Sequence, residues 1–199
     1  LFLLLFIIAI FYDKLGYDTF KFNLFKKEDL RKISQQALVD ALTQLPNRRA
    51  LMQHLEFATK RCERNGTGLA VAFIDADNFK QINDSLGHKI GDQVLQKIAS
   101  RLVTAVRGCD EVARIGGDEF IAIIEGVENN EDYIAVAERM VSAVHAPCTI
   151  ENTELNLSVS IGVAMHAIGG SIEQLISSAD TAMYRAKKDG KDQFRFFDA

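Results

Sequence analysis

The stretch Val112-Ala113-Arg114-Ile115-Gly116-Gly117-Asp118-Glu119-Phe120-Ile121-Ala122-Ile123-Ile124 decides the fold. Two apolar runs flank adjacent glycines. That pattern predicts a β-hairpin, because both turn positions can take φ > 0 with no Cβ to clash. The turn carries two acids at its exit, Asp118 and Glu119. A hairpin needs the glycines; it does not need paired carboxylates beside them. A bare backbone next to two acids suits a metal-bound phosphate ligand lying across the tip. An ordinary solvated turn is the competing reading, since short motifs also match by chance.

Working upstream, Leu69–Asp75 is a continuous apolar run ending in an acid, the pattern of a strand buried on both faces. A short helix is expected at about 78–86. A second is expected from Gly91-Asp92, with Val94, Leu95, Ile98, Leu102 and Val106 on one face. Further upstream, residues 28–42 read as a helix through Leu30, Ile33, Ala37, Leu38 and Ala41, long enough for a short stalk but not for an established heptad repeat. Pro46-Asn47 breaks it, and Asn47 can cap a helix over 48–64 that ends at Asn65-Gly66. Downstream of the hairpin a helix is predicted over 131–145, then strands around 147–151 and 154–165. In the second of these, Leu155, Leu157, Val159, Ile161 and Val163 alternate with Asn156, Ser158, Ser160 and Gly162, which predicts a half-buried strand. Ser171-Ile-Glu-Gln174 is a capping box opening the last helix, whose apolar face is Leu175, Ala179, Ala182, Met183 and Ala186. Gly190 ends it, and Gln193–Phe197 closes the chain as a strand. Strands and helices alternate, yet hairpins are present. The fold class is therefore α/β in the α+β sense, a mainly antiparallel central sheet flanked by helices, with an N-terminal helical extension.

The chain has 199 residues, 48% hydrophobic and 25% charged, enough apolar material for one globular domain plus an appendage. A net charge of −4 argues against a nucleic-acid partner. The odd count of cysteines, Cys62, Cys109 and Cys148, lacks metal-ligand spacing and reads as reduced thiols. The first 12 residues are uncharged and apolar, shorter than the roughly 20 that a span needs. No basic region precedes them, as a signal peptide requires. They read as the trailing end of a transmembrane helix, with a buried N-terminal helix or strand as the alternative. Residues 13–37 then form a juxtamembrane linker and signalling helix. Lys14, Lys21, Lys26, Lys27, Arg31 and Lys32 follow the apolar run and mark a cytoplasmic side. The rest of the chain, with residues 38–199 as the domain, is then expected to face the cytoplasm.

Four polar groups fall at strand ends and helix starts, where ligands commonly bind. The first is Asp75, at the exit of the buried strand; the second is Asp118-Glu119. If strand and hairpin are neighbours, the acids meet at one edge and can hold Mg²⁺, which takes one or two carboxylates plus phosphate oxygens. A polyphosphate could not lie there without metal, because each bare carboxylate–phosphate contact at ~4 Å costs about 4 kcal/mol at an effective dielectric near 20. The third group is Asn83 with Asp92. A carboxylate can accept from a guanine N1–H and N2–H₂ together, and an Asn amide can donate and accept along the same edge. Equally, Asn83 could be a helix C-cap and Asp92 an N-cap. The fourth is cationic: Lys80, then Lys187 and Lys191, which suit either a triphosphate clamp or compensation of a helix dipole.

Gly116-Gly117-Asp118-Glu119-Phe120 is similar to the signature of the GGDEF domains, the diguanylate cyclases. Asp40-Ala-Leu-Thr-Gln-Leu-Pro-Asn-Arg48, Phe73-Ile-Asp-Ala-Asp-Asn-Phe-Lys80, Ile82-Asn-Asp84, Gly87-His88, Gly91-Asp92, Ser160-Ile-Gly162 and Ala179-Asp-Thr-Ala-Met-Tyr184 resemble that family in order and spacing. The resemblance covers about residues 38–198. It implies a fold like the nucleotide-cyclase and polymerase palm, and the condensation of two GTP into cyclic di-GMP with release of two pyrophosphates. It maps Asp75, the Ala76 carbonyl and Asp118 onto metal ligands for Mg²⁺ or Mn²⁺. It maps Glu119 onto the acid that helps deprotonate the ribose 3′-hydroxyl or binds a second metal, and Asp118 and Glu119 onto the catalytic pair. Asn83 and Asp92 map onto guanine readers. Lys80, Lys187, the backbone at Asn78-Phe79 and the glycine tip map onto phosphate contacts. Lys191 stands where the family often has Arg, which keeps the charge and loses the bidentate fork. Asp77 is expected to be a cap or a support for the turn.

One site holds one GTP while the product joins two, so the resemblance implies a homodimer whose domains face each other. Arg107-Gly-Cys-Asp110 is similar to the family's R-x-x-D inhibitory site for cyclic di-GMP; a helix-terminal Arg paired with a turn Asp is the plainer alternative. Three rival functions stand beside the cyclase. One is a catalytically silent GTP-binding regulatory module. The second is one half of a longer chain leading into an EAL phosphodiesterase domain. The third is a membrane-anchored interaction domain, which leaves the clustered acids and Gly116-Gly117 unexplained.

Overall fold

The computed structural model describes residues 38–198 apart from Glu128, within one compact unit, Val39–Ala199. The expected membrane segment 1–12 and linker 13–37 lie outside the described residues. Residues 38–47 are not the end of a helix, contrary to the reading of 28–42. The Asp40 carboxylate accepts from the Thr43 amide at 2.8 Å and its hydroxyl at 2.6 Å, closing a turn that competes with helix, and Val39 bridges to Pro46.

Helix α1, Arg48–Asn65, begins where the Asn47 side chain accepts from the Arg49 and Ala50 amides, and it stops at Gly66 in the left-handed region. Strand β1, Gly68–Ala76, leads into α2, Phe79–Leu86, and α3, His88–Ala105. Gly87, at φ 85°, separates the two helices, so α3 starts three residues earlier than the Gly91-Asp92 signal suggested. Asp92 therefore lies inside the helix and caps nothing. Strands β2, Glu111–Gly116, and β3, Glu119–Val127, form the hairpin, followed by α4, Asn130–His145. A small hairpin of β4, Cys148–Ile150, and β5, Thr153–Leu155, stands apart from the main sheet. Then come β6, Val159–Met165, α5, Ile172–Lys188, and β7, Gln193–Phe196.

The five-stranded sheet runs β2-β3-β1-β6-β7, antiparallel throughout except for the parallel β6–β7 pair. Its faces bury separate layers. Ala72, Ile74, Phe120, Ala122 and Ile161 pack with residues of α3 and α4; Val71, Phe73, Ile121 and Ile123 pack with residues of α1 and α5. Period-two alternation along each strand produces both layers. The run 154–165 is two strands rather than one, and β6 is buried on both faces rather than half-buried. Its alternation reports size, not exposure. A Cβ at Gly162 would overlap the Ala179 carbonyl oxygen and the Met183 backbone nitrogen, so α5 lies directly on the strand.

Candidate active site

The site lies at one end of β1, where register does the positioning. Asp75 pairs with Glu119 of β3 on one side and with Ser160 of β6 on the other. The Ala76 amide donates to the Asp118 carbonyl at 3.1 Å. Residues 75, 76, 118 and 119 are thus brought to a single sheet edge, although more than forty positions separate the two pairs in the chain. The glycine tip beside them is open: Gly116 and Gly117 have φ of 153° and 50°, and a Cβ at either would meet nothing within 4 Å.

The electrostatics follow from burial. Burial, opposed by the Lys187 hydrogen bond and reinforced by Asp118 and Glu119, pushes the Asp75 carboxyl up to about 6. Lys187 Nζ lies 2.8 Å from Asp75 Oδ2, one cation against three acids. Glu119 is also raised, first by burial, then by Asp118 and Asp180, with Lys187 and Arg48 opposing. Glu119, Arg48 and Asp180 line a cavity of about 340 Å³ whose floor includes Phe73, Ile121 and Ile176. Among the described residues no three His, Cys, Asp or Glu side chains are placed to hold a metal ion. The donors at the edge are a partial set, of the kind Mg²⁺ completes with phosphate oxygens and water. One buried and two half-buried carboxylates, the first already drawing an ammonium onto itself, fit a divalent cation.

Arg114 is the residue that sequence reasoning missed. Its Nε and Nη2 donate to the Gly117 carbonyl at 3.1 and 2.7 Å, and Nη1 donates to Asp40 Oδ1 at 2.9 Å. One guanidinium therefore ties the hairpin tip to the turn at 40–43. Burial pushes the Asp40 carboxyl up, but Thr43 and Arg114 together hold it below its ordinary range. The signal available in the sequence was an Arg two positions before the glycines and an unpaired Asp in the opening motif.

At the start of α2, Asn78 takes φ 58° and makes no side-chain cap. Its Oδ1 instead accepts from Lys191 Nζ at 2.6 Å. Lys80 is exposed in the first turn of α2. Asn83 is not a C-cap: it lies within α2, its Oδ1 is buried without a partner, and Gly91 leaves the space it fills. A Cβ at Gly91 would overlap Asn83 Oδ1. Asn83 thus rests against the residue preceding Asp92, with an unanswered acceptor. A buried acceptor without a donor costs stability unless something else supplies the hydrogen.

Arg107 and Asp110 are not brought to this edge. Asp110 accepts from the Arg107 amide at 2.9 Å and the Glu125 amide at 3.2 Å, fixing the turn between α3 and β2, while the Arg107 guanidinium is 3.7 Å from Asp132. They occupy the base of the hairpin, about 20 Å of strand from its tip.

The family described as "Diguanylate cyclase, GGDEF domain" matches residues 37–193. MucR of Pseudomonas aeruginosa, named a bifunctional diguanylate cyclase/cyclic di-GMP phosphodiesterase, is 41% identical over 170 residues, covering 85% of this chain and 25% of that protein. The diguanylate cyclase DgcS of Shewanella oneidensis is 35% identical over 165 residues, covering 83% of this chain and 54% of its own length. The chain therefore spans a quarter to about half of these relatives. The coiled coil and GGDEF domain of DgcB from Caulobacter crescentus, solved with c-di-GMP, superposes with a TM-score of 0.81 at 29% identity, over 92% of this chain and 97% of that one. The isolated GGDEF domain of TpbB from Pseudomonas aeruginosa gives 0.77 at 36%, over 80% and 94%. With the sheet order, the acidic edge and the glycine tip in place, the chain belongs to the diguanylate cyclase GGDEF-domain family.

Proposed function

We propose that this chain condenses two GTP into cyclic di-GMP and two pyrophosphates. The observation that carries the reading is the register of Asp75 against Glu119, with Asp118 bonded alongside through the Ala76 amide. Asp75, the Ala76 carbonyl, Asp118 and Glu119 would hold Mg²⁺ or Mn²⁺. The ion supplies charge neutralisation and a lowered pKa for the ribose hydroxyl. Asn83 and Asp92 read the guanine edge. Lys80, Lys187, Lys191, the tip at Gly116-Gly117 and the backbone at Asn78-Phe79 receive the phosphates. Phosphoryl transfer needs placement and charge compensation more than covalent help. The ribose 3′-oxygen attacks the α-phosphorus of the other GTP, its proton passes to Glu119, and the bond to the β-phosphate oxygen breaks to release pyrophosphate. Burial, then Asp118 and Asp180, raise the Glu119 pKa, and a coordinated ion would act against that shift.

Because each domain offers one site, two copies must face each other, so we assign catalysis to a homodimer. Product inhibition is assigned to Arg107 and Asp110. The apolar run 1–12 followed by lysines supports anchoring to a bacterial inner membrane with the domain in the cytoplasm. The test is turnover of GTP by the purified chain with Mg²⁺, beside Asp118→Ala, followed by chromatography of the nucleotide product. Cyclic di-GMP is expected from the first and none from the second. NbdA of Pseudomonas aeruginosa, named a cyclic di-GMP phosphodiesterase, is 36% identical over 170 residues, which favours as second reading a GTP-binding regulatory module in a longer protein. GTP binding without product formation would select it.

A further inference from the structure

Asp77 has no part in the chemistry above, yet it is among the most heavily bonded carboxylates described. It is buried, and it accepts from Ser158 Oγ at 2.8 Å, Ser160 Oγ at 2.7 Å and the Asp192 amide at 3.1 Å. Its own amide donates to the Ser158 carbonyl at 3.0 Å. Those partners come from the β5–β6 connection, β6 and the turn between α5 and β7. None of these donors is a cation. A buried carboxylate held by neutral donors is tolerated only where every donor is well placed.

The backbone around Asp77 is also unusual. Six non-glycine residues among those described have positive φ: Gln44, Asn78, Glu151, Asn152, Lys191 and Asp192. Three of the six surround Asp77. Asn78 follows it in the chain, Asp192 donates to it, and Lys191 precedes Asp192. L-residues adopt this region at a steric cost and stay there only where the surroundings over-determine them. Here Asp77 supplies the constraint that spans the gap, because one carboxylate grips both the strand exit before Asn78 and the turn at 191–192, a turn also held by the Lys191 amide on the Ala186 carbonyl and by His145 against Asp192. The outcome is visible across the gap: Lys191 Nζ reaches Asn78 Oδ1 at 2.6 Å.

We propose that Asp77 is a positioning residue for the terminal phosphates of the nucleotide. It fixes the Lys191–Asp192 turn against the β1–α2 loop, so that the Lys191 ammonium stands over the start of α2. This rests on the nucleotide reading of the site. The placement matters because lysine is a point charge on a flexible stem with no planar fork to orient it. Fixing its backbone limits the region its ammonium can sample. Ser158 and Ser160 act one step further out by holding the carboxylate that holds the turn.

The test is binding of a non-hydrolysable GTP analogue and of GMP, measured by calorimetry with Mg²⁺. The proteins are wild type, Asp77→Asn, Ser158→Ala, Lys191→Ala and the double variant Asp77→Asn/Lys191→Ala, each with its thermal melt recorded. Asp77→Asn keeps the side-chain volume and removes one acceptor. It should weaken the triphosphate about tenfold, the scale of one hydrogen bond to a charged group, and GMP less than about twofold. On the Lys191→Ala background the same change should have almost no further effect. A folded Asp77→Asn with an unchanged ratio of triphosphate to GMP affinity would overturn the proposal, as would additive effects of the two substitutions. If Asp77→Asn shows no melting transition, Ser158→Ala decides by the same ratio, with about a threefold selective loss expected. Wild type that binds neither nucleotide would instead overturn the nucleotide reading, and the proposal with it.

Discussion

Asp75→Asn should abolish turnover and at the same time make the protein more stable. Asp75 is 6% exposed, and burial pushes its carboxyl up to about 6 from an ordinary 3.8. Its folded pKa is raised, so protonation favours the folded state. That contribution is fully present below pH 3.8 and is lost as pH rises through about 6. Above pH 6 the ionised group costs the fold about 3 kcal/mol, the gap between 3.8 and about 6 at 1.36 kcal/mol per pH unit. Asparagine mimics the protonated acid and carries no such cost. For a domain of this size the gain corresponds to a melting temperature roughly 6–12 °C higher at pH 7.5. At pH 4.5, where the folded carboxyl is already protonated, the advantage should shrink to about 1 kcal/mol. The assay is a pair of thermal melts in EDTA at the two pH values, with wild type alongside. An Asp75→Asn protein that melts below wild type at pH 7.5, or whose advantage is the same at both pH values, would refute the claim that Asp75 is a strained acid held for a cation.

Gly91→Ala should drive Asn83 out of its place, since the new Cβ would overlap its Oδ1. The expected result is a KM for GTP raised about tenfold or more, the scale of one lost base contact, with kcat less affected, read from initial rates. Gly162→Ala would push α5 off β6 through backbone contacts that cannot give way. It should cost about 3 kcal/mol or more in urea unfolding, or leave no soluble protein. Arg107→Ala should relieve inhibition by cyclic di-GMP while turnover continues. An unchanged inhibition curve would reject the assignment of that site.

Strands, caps and the hairpin were legible because each depends on local chemistry. Asn47 and Ser171 cap the helices where their side chains predict, while the hairpin turns one position later than the glycine pair suggests, at Gly117-Asp118, with Gly116 the last residue of β2. The start of α3 was misplaced because Gly91-Asp92 looks like a helix opening, whereas Gly87 had already turned the chain. β6 was misjudged because serine and glycine in alternation imitate an exposed face. In the fold Ser160 is spent on Asp77, and Gly162 admits a helix backbone. Neither use leaves a trace in local periodicity. Of the site, the acids could be named from spacing, but not the link from Asp40 through Arg114 to Gly117, which joins positions 74 residues apart.

That link bears on what a signature motif can mean. Gly116-Gly117-Asp118-Glu119 supplies two acids and an open tip, but neither acid has Asp75 in reach until β3 pairs with β1. The pairing depends on a sheet whose central strand is covered on both faces by helices drawn from the whole domain. The register that sets Asp75 opposite Glu119 also sets Ile74 opposite Phe120 and Phe73 opposite Ile121. A slip of one residue would move each β3 side chain into the opposite core layer, where its size does not match its neighbours. The same hydrophobic selection that excludes the slipped sheet therefore holds the carboxylates together against their mutual repulsion. The acidic edge is stable because the core behind it has no alternative register, and its unfavourable charge is what leaves it open to a cation.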